Sequence, residues 1–89
     1  MKIFTQGLVY NEAFELTRLF FPGEEFGELE AGVEDSDALF VLPDESGVTF
    51  RLRGREEHYD RTDLTLNDKN FYKANLYRFL SNMTGRELP

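Results

Sequence analysis

The chain has 89 residues, with 17 Asp and Glu against 10 Lys and Arg, so it holds one small domain of net charge −7. A 40% apolar and 15% aromatic content is enough for one compact core and too high for the disordered class. The lack of Cys excludes thiol catalysis, disulfides, iron–sulfur ligation and Cys-type zinc sites, and a single His, His58, excludes a His-rich metal centre.

Residues 3–9 form a β-prone opening in which Gly7 marks a bend or an end. Asn11 suits a helix N-cap, Glu12 and Glu15 suit the positive end of the helix dipole, and Ala13, Leu16, Leu19 and Phe20 repeat at helical spacing. Pro22-Gly23 stops this helix, which is expected over residues 12–21. Residues 23–37 carry seven acids and no base, and the alternation Leu29, Ala31, Val33 allows an edge strand there, with a solvated acidic connection as the alternative. Residues 38–42 read as a buried strand, 43–47 as a turn and 48–53 as a strand with Val48, Phe50 and Leu52 on one face and Thr49, Arg51 and Arg53 on the other. Gly54 ends or bulges this hairpin, and residues 56–62 return as a polar strand. Asn67 or Asp68 caps the last helix, expected over residues 68–84, with Tyr72, Leu76, Phe79, Leu80 and Met83 on its main apolar face and Gly85 beyond its end. Phe71 and Tyr77 fall off that face and suggest a second contact surface. The expected fold is α+β: a two-layer sandwich in which an antiparallel sheet of three to four strands carries both helices on one face and leaves the other polar and arginine-bearing.

The longest apolar run, residues 38–42, is far short of the roughly 20 residues needed to span a bilayer, and Met1-Lys2-Ile3-Phe4 lacks a signal-peptide layout, so a cytoplasmic setting is expected. Excess acid repels phosphate backbones, which argues against nucleic acid as a partner. Arg51, Arg53 and Arg55 sit at spacing two; if the strand runs through Gly54, three guanidiniums project in a row able to grip carboxylates or phosphates. The plainer alternative is a solvated strand face neutralised by Glu45, Glu56 and Glu57. Glu56, His58 and Asp60 also alternate, but side chains on one strand face are about 7 Å apart, too far to share a metal unaided. The acids Glu24, Glu25, Asp35 and Asp37 match no EF-hand loop and read as solvated. No catalytic, cofactor-binding or metal-binding residue is assigned.

The segment Lys73-Ala74-Asn75-Leu76-Tyr77-Arg78-Phe79-Leu80-Ser81-Asn82-Met83-Thr84-Gly85-Arg86-Glu87-Leu88-Pro89 resembles the stretch just before the radical SAM domain in oxygen-independent coproporphyrinogen III oxidase-like proteins of the coproporphyrinogen dehydrogenase type. In that family a K-x-x-L-Y-x-x-L helix ends in T-G-x-x-L-P-W-G. Leu19-Phe20-Phe21-Pro22-Gly23-Glu24, Asp37-Ala38 and the strand at 48–54 are also similar to the family's amino-terminal region, although only Thr84 to Pro89 is distinctive. The resemblance implies that residues 1–89 are a single accessory N-terminal domain excised from a longer radical SAM enzyme. That parent would decarboxylate coproporphyrinogen III oxidatively in haem biosynthesis, using S-adenosylmethionine and a [4Fe-4S] cluster. The cluster needs a C-x-x-x-C-x-x-C triad, so none of its ligands falls on this Cys-free chain, and the domain is expected to be catalytically silent. Its partner would be the catalytic domain of the same polypeptide, and Arg51, Arg53 and Arg55 would be candidates for the propionates of a tetrapyrrole. The competing expectation is a small stand-alone acidic module that binds a basic protein.

Overall fold

The computed structural model describes residues 1–7, 9–62 and 65–88. Its elements run β1 (Lys2–Thr5), α1 (Tyr10–Phe20), β2 (Gly27–Glu28), β3 (Leu39–Pro43), β4 (Gly47–Leu52), β5 (Arg55–Asp60) and α2 (Asp68–Thr84). The five strands form one sheet in the order β2-β1-β3-β4-β5. The α+β class and the helices on one face are as expected; the sheet is larger than the expected three to four strands and is mixed rather than antiparallel. Strand β1 pairs parallel with both β2 and β3, while β3, β4 and β5 form an antiparallel meander. The cause is α1: a helix directly after β1 returns the chain to the starting end, so the next strand enters parallel, as in a βαβ unit.

The acidic segment differs as well. Only Gly27 and Glu28 pair as strand; Leu29 still donates to the Ile3 carbonyl at 2.9 Å and is buried, and then the chain turns, with the Val33 N–H on the Glu30 carbonyl at 3.3 Å and Gly32 at φ 86. The Leu29, Ala31, Val33 alternation is therefore no edge strand. The opening strand stops at Thr5, short of the expected residue 9; Leu8, within that stretch, lies outside the described residues.

Helix α2 has the expected bounds because both ends are chemically specified. Asn67 accepts the Asn70 N–H at 2.9 Å, and Gly85 takes φ 70 while donating to the Ser81 carbonyl at 2.8 Å. Helix α1 starts at Tyr10 after an N-cap, Val9, that offers no side-chain acceptor, so the expected cap Asn11 lies inside the first turn. Tyr10 stacks on Phe14 at 6.0 Å, one turn on, and packing extends the helix past its best capping residue.

The core lies between the helices and one sheet face. Ile3, Leu39, Val41, Val48, Phe50 and Leu52 meet Ala13, Leu16 and Phe20 of α1 and Phe71, Tyr72, Leu76, Phe79 and Leu80 of α2. Phe50 stacks on Phe79 with centroids 5.5 Å apart. Phe71, expected off the main face, is buried, and Tyr77 packs edge-on against Phe20 at 5.5 Å, so the two serve the core and the α1–α2 contact. The polar groups trapped there bond within their own helices: Thr17 Oγ1 donates to the Ala13 carbonyl at 2.7 Å and Asn75 Nδ2 to the Phe71 carbonyl at 2.8 Å.

Candidate functional site

Strand alternation sends Phe4, Phe40, Leu42, Thr49, Arg51 and His58 to the face that the helices leave open. This face was expected to be polar. Instead Phe4 and Phe40 lie side by side on β1 and β3, centroids 5.9 Å apart, and the Arg51 guanidinium lies over the Phe40 ring at 4.4 Å. An aromatic–aromatic–guanidinium stripe thus crosses three strands. The loop of residues 29–38 walls it on one side, anchored where the Arg53 N–H donates to the Ser36 carbonyl at 3.1 Å. Shallow hollows lie between loop and sheet. One of about 200 Å³ is lined by Phe4, Phe40, Leu42, Val33, Glu34 and Arg51, and one of about 440 Å³ shares Phe40, Arg51 and Glu34 and reaches Asp35 and Arg53. The sequence signal for this face was the unbroken run at 38–42, since a strand apolar at every position has two dry faces.

The three arginines do not form a row, because β4 ends at Leu52 and the chain reverses through Arg53 (φ 50) and Gly54 (φ 81), a two-residue turn with both central residues left-handed. Arg51 stays on the open face and, among the described residues, its guanidinium forms no ion pair or hydrogen bond. Arg53 is held by Asp37 (Nε to Oδ1, 2.6 Å) and Glu24 (Nη2 to Oε1, 3.1 Å), and its guanidinium lies 5.2 Å from the Phe21 centroid. The Asp37 hydrogen bond, more than the Glu24 one, raises its pKa above the ordinary arginine value against a smaller desolvation penalty. Arg55 turns to the helix side, pairing with Glu57 at 3.1 Å and reaching the Asn82 carbonyl at 3.5 Å.

His58 sits in a hydroxyl network at the β3–β4 turn. Its Nδ1 is 2.9 Å from Thr49 Oγ1, and its Nε2 is 3.1 Å from both Ser46 Oγ and Asp60 Oδ1. Ser46 Oγ donates to Asp44 Oδ1 at 2.8 Å, which leaves only its lone pairs for His58. The consistent tautomer carries the proton on Nε2 and accepts from Thr49 on Nδ1. Ser46 is then an acceptor from His58, the reverse of a nucleophile–base pair. The bonds from the Ser46 side chain, then from the Ser46 and Gly47 N–H groups, hold the Asp44 carboxyl below its ordinary pKa, the mark of a turn-forming Asp. Glu56, His58 and Asp60 share the open side of β5, and among the described residues no cluster of three His, Asp or Glu is placed to hold a metal ion.

The distinctive C-terminal motif forms a second feature. Arg86 Nη1 donates to the Phe20 carbonyl at the end of α1 at 2.8 Å, and the Tyr77 hydroxyl both accepts from the Leu88 N–H at 3.1 Å and donates to the Leu88 carbonyl at 3.3 Å. Leu88 is half-buried against the core. The residues after α2 therefore lie fixed against the end of α1 and the side of α2; Pro89 lies outside the described residues. No helix among the described residues is long and apolar enough to cross a membrane.

Compared with known protein families, with curated proteins and with solved structures, the chain finds no match.

Proposed function

We propose that this chain is a non-catalytic N-terminal domain of a coproporphyrinogen III oxidase-like radical SAM enzyme of haem biosynthesis, acting in the cytoplasm. It holds the start of the catalytic barrel in a fixed pose. The observation that supports this reading is the anchoring of Arg86 and Leu88 on Phe20 and Tyr77, within the motif that carries the resemblance. A chain continuing past this motif would leave from a rigid exit, because three hydrogen bonds and a half-buried Leu88 fix the last turn of backbone to both helices. The domain itself supplies no cofactor ligand; the [4Fe-4S] cluster and S-adenosylmethionine would belong to the barrel that follows. Docking is favoured over gripping the substrate, since Arg53 and Arg55 are already engaged by Asp37, Glu24 and Glu57.

The test is the native polypeptide. An antibody raised against this domain, applied to an extract of the source cells under anaerobic conditions, is expected to retrieve a much longer chain that carries iron and sulfide. Retrieval of an 89-residue chain free of iron overturns the reading. Titration of the domain with coproporphyrin III separates its two versions: no saturable binding is expected of a docking domain, whereas binding lost in Arg51→Ala would make it a substrate-handling one.

A further inference from the structure

From the uncovered sheet face we infer a docking groove for an extended peptide segment of a partner protein, one with an apolar centre flanked by basic residues. It does not depend on the family reading, since none of the residues that hold the Arg86–Leu88 anchor lines this groove.

Three observations meet in this groove. Its floor is apolar: Phe4, Phe40 and Leu42 sit on the sheet but stand apart from the buried core, and Val33 at the rim is 45% exposed. Apolar side chains converging on a concave strip outside the core are the usual mark of a recognition surface. Its rim is acidic: Glu30, Glu34 and Asp35 line the hollows, and among the described residues none of them has a cationic partner, whereas Arg53 nearby is already matched by Asp37 and Glu24. The net charge of −7 adds a long-range field that speeds the approach of a basic partner. Finally, the Arg51 guanidinium lies over the Phe40 ring at 4.4 Å with no hydrogen-bond acceptor among the described residues.

These features divide the work of recognition. A guanidinium laid over a ring still offers its N–H groups at the edge, where the main-chain carbonyls of an extended segment can accept them. Its charge at the centre of the floor repels a cation there and admits an apolar side chain. The acids on the loop side then select Lys or Arg at the flanks. The occupant is therefore defined by pattern, base–apolar–base, and not by charge alone.

The probe is the fluorescent peptide Lys-Lys-Val-Phe-Val-Lys-Lys with blocked ends, titrated into the full chain at low salt and followed by anisotropy. Saturable binding is expected, weakened about tenfold when the three central residues become Ser-Gly-Ser, a loss in keeping with removal of apolar anchors. Glu30→Gln with Glu34→Gln is expected to weaken it about three- to tenfold, as two exposed ion pairs would. Val33→Lys places a positive charge on the exposed rim and repels the basic flanks, so it abolishes binding while leaving the thermal midpoint unchanged. Equal binding of the Ser-Gly-Ser peptide, tighter binding of the matching glutamate peptide, or no saturable binding at all overturns the proposal. So does a concentration-dependent dimer of the chain alone that Val33→Lys dissolves, which would give the face to a second copy.

Discussion

On β4, Val48, Phe50 and Leu52 are fully buried beneath the two helices, while Thr49 and Arg51, one residue out of phase, stay half-buried on the opposite face. The same strands thus carry two apolar surfaces that differ in what covers them. On the covered side the aromatic rings pack in depth, Phe50 on Phe79 and Phe20 on Tyr77. On the open side the rings form one layer, Phe4 beside Phe40, capped only by Arg51. Burial behind two helices turns an aromatic ring into stability, whereas a ring with one exposed face remains available for binding.

The largest expected effect comes from cutting one ring on each side. Phe50→Ala should cost about 3–5 kcal/mol by opening a cavity under α2, a large share of the roughly 4–13 kcal/mol expected of a domain this size. Phe40→Ala should cost only about 1–2 kcal/mol, the worth of its contacts with Phe4 and Arg51. Urea unfolding of both variants checks the pair, and equal losses would mean that the two faces are alike. Next in size is Gly47→Ala at the hairpin entrance, where an added Cβ would lie 2.0 Å from the Tyr59 carbonyl oxygen. Strand backbone cannot yield that much without parting β4 from β5, so about 2–3 kcal/mol is expected, with faster amide exchange confined to these two strands.

How far these features were legible in the sequence follows from the same contrast. Helix α2 was readable to the residue because Asn67 and Gly85 act through local chemistry that no distant contact needs to complete. The β3–β4 hairpin was readable because an unbroken apolar run, a turn sequence and a strictly alternating strand follow one another at 38–53. The parallel pairing of β1 was not, since β2 has only two residues and no periodicity to detect. Whether the strand ran through Gly54, the condition for an arginine row, was not legible for a related reason. Gly54 was visible as a break, but nothing local showed that Arg53 also adopts a left-handed conformation, which turns spacing two along a strand into a reversal between strands. The open aromatic stripe needs register between β1, β3 and β4 and cannot be read from any one of them.

Strand β5 repeats the contrast within six residues: Glu57 and Tyr59 face the helices, and Glu56, His58 and Asp60 face away. Burial, assisted by the hydrogen bond to Glu57 at 2.6 Å, pushes the Tyr59 phenol up to about 12 from an ordinary value of 10.0. The unfolded chain then loses this proton before the native one does. Tyr59 therefore contributes stability that is intact below pH 10.0 and is lost as the pH climbs toward about 12. Stability measured across this window should fall more steeply in the parent than in Tyr59→Phe, and phenolate absorbance should show one of the four tyrosines titrating last. An identical alkaline decline in both proteins would place Tyr59 among the exposed groups.

The smallest effects separate the two arginines that the turn sends apart. Arg53→Ala loses the partly exposed pairs to Asp37 and Glu24 and keeps the left-handed backbone, so about 0.5–1 kcal/mol is expected. Arg53→Gly loses the same pairs but relieves a conformation costing a side-chain-bearing residue about 1 kcal/mol, and should come out near neutral. Arg51→Ala gives up one cation–π contact at a half-exposed ring and should change the unfolding midpoint least, by about 0.5 kcal/mol or less. That near-zero result sharpens the comparison between the faces, because a guanidinium that contributes little to folding is one whose hydrogen-bonding capacity the fold has left unspent. A cost for Arg51→Ala as large as that for Arg53→Ala would break it. Arg51 would then be holding β3 to β4, and the open face would be part of the scaffold.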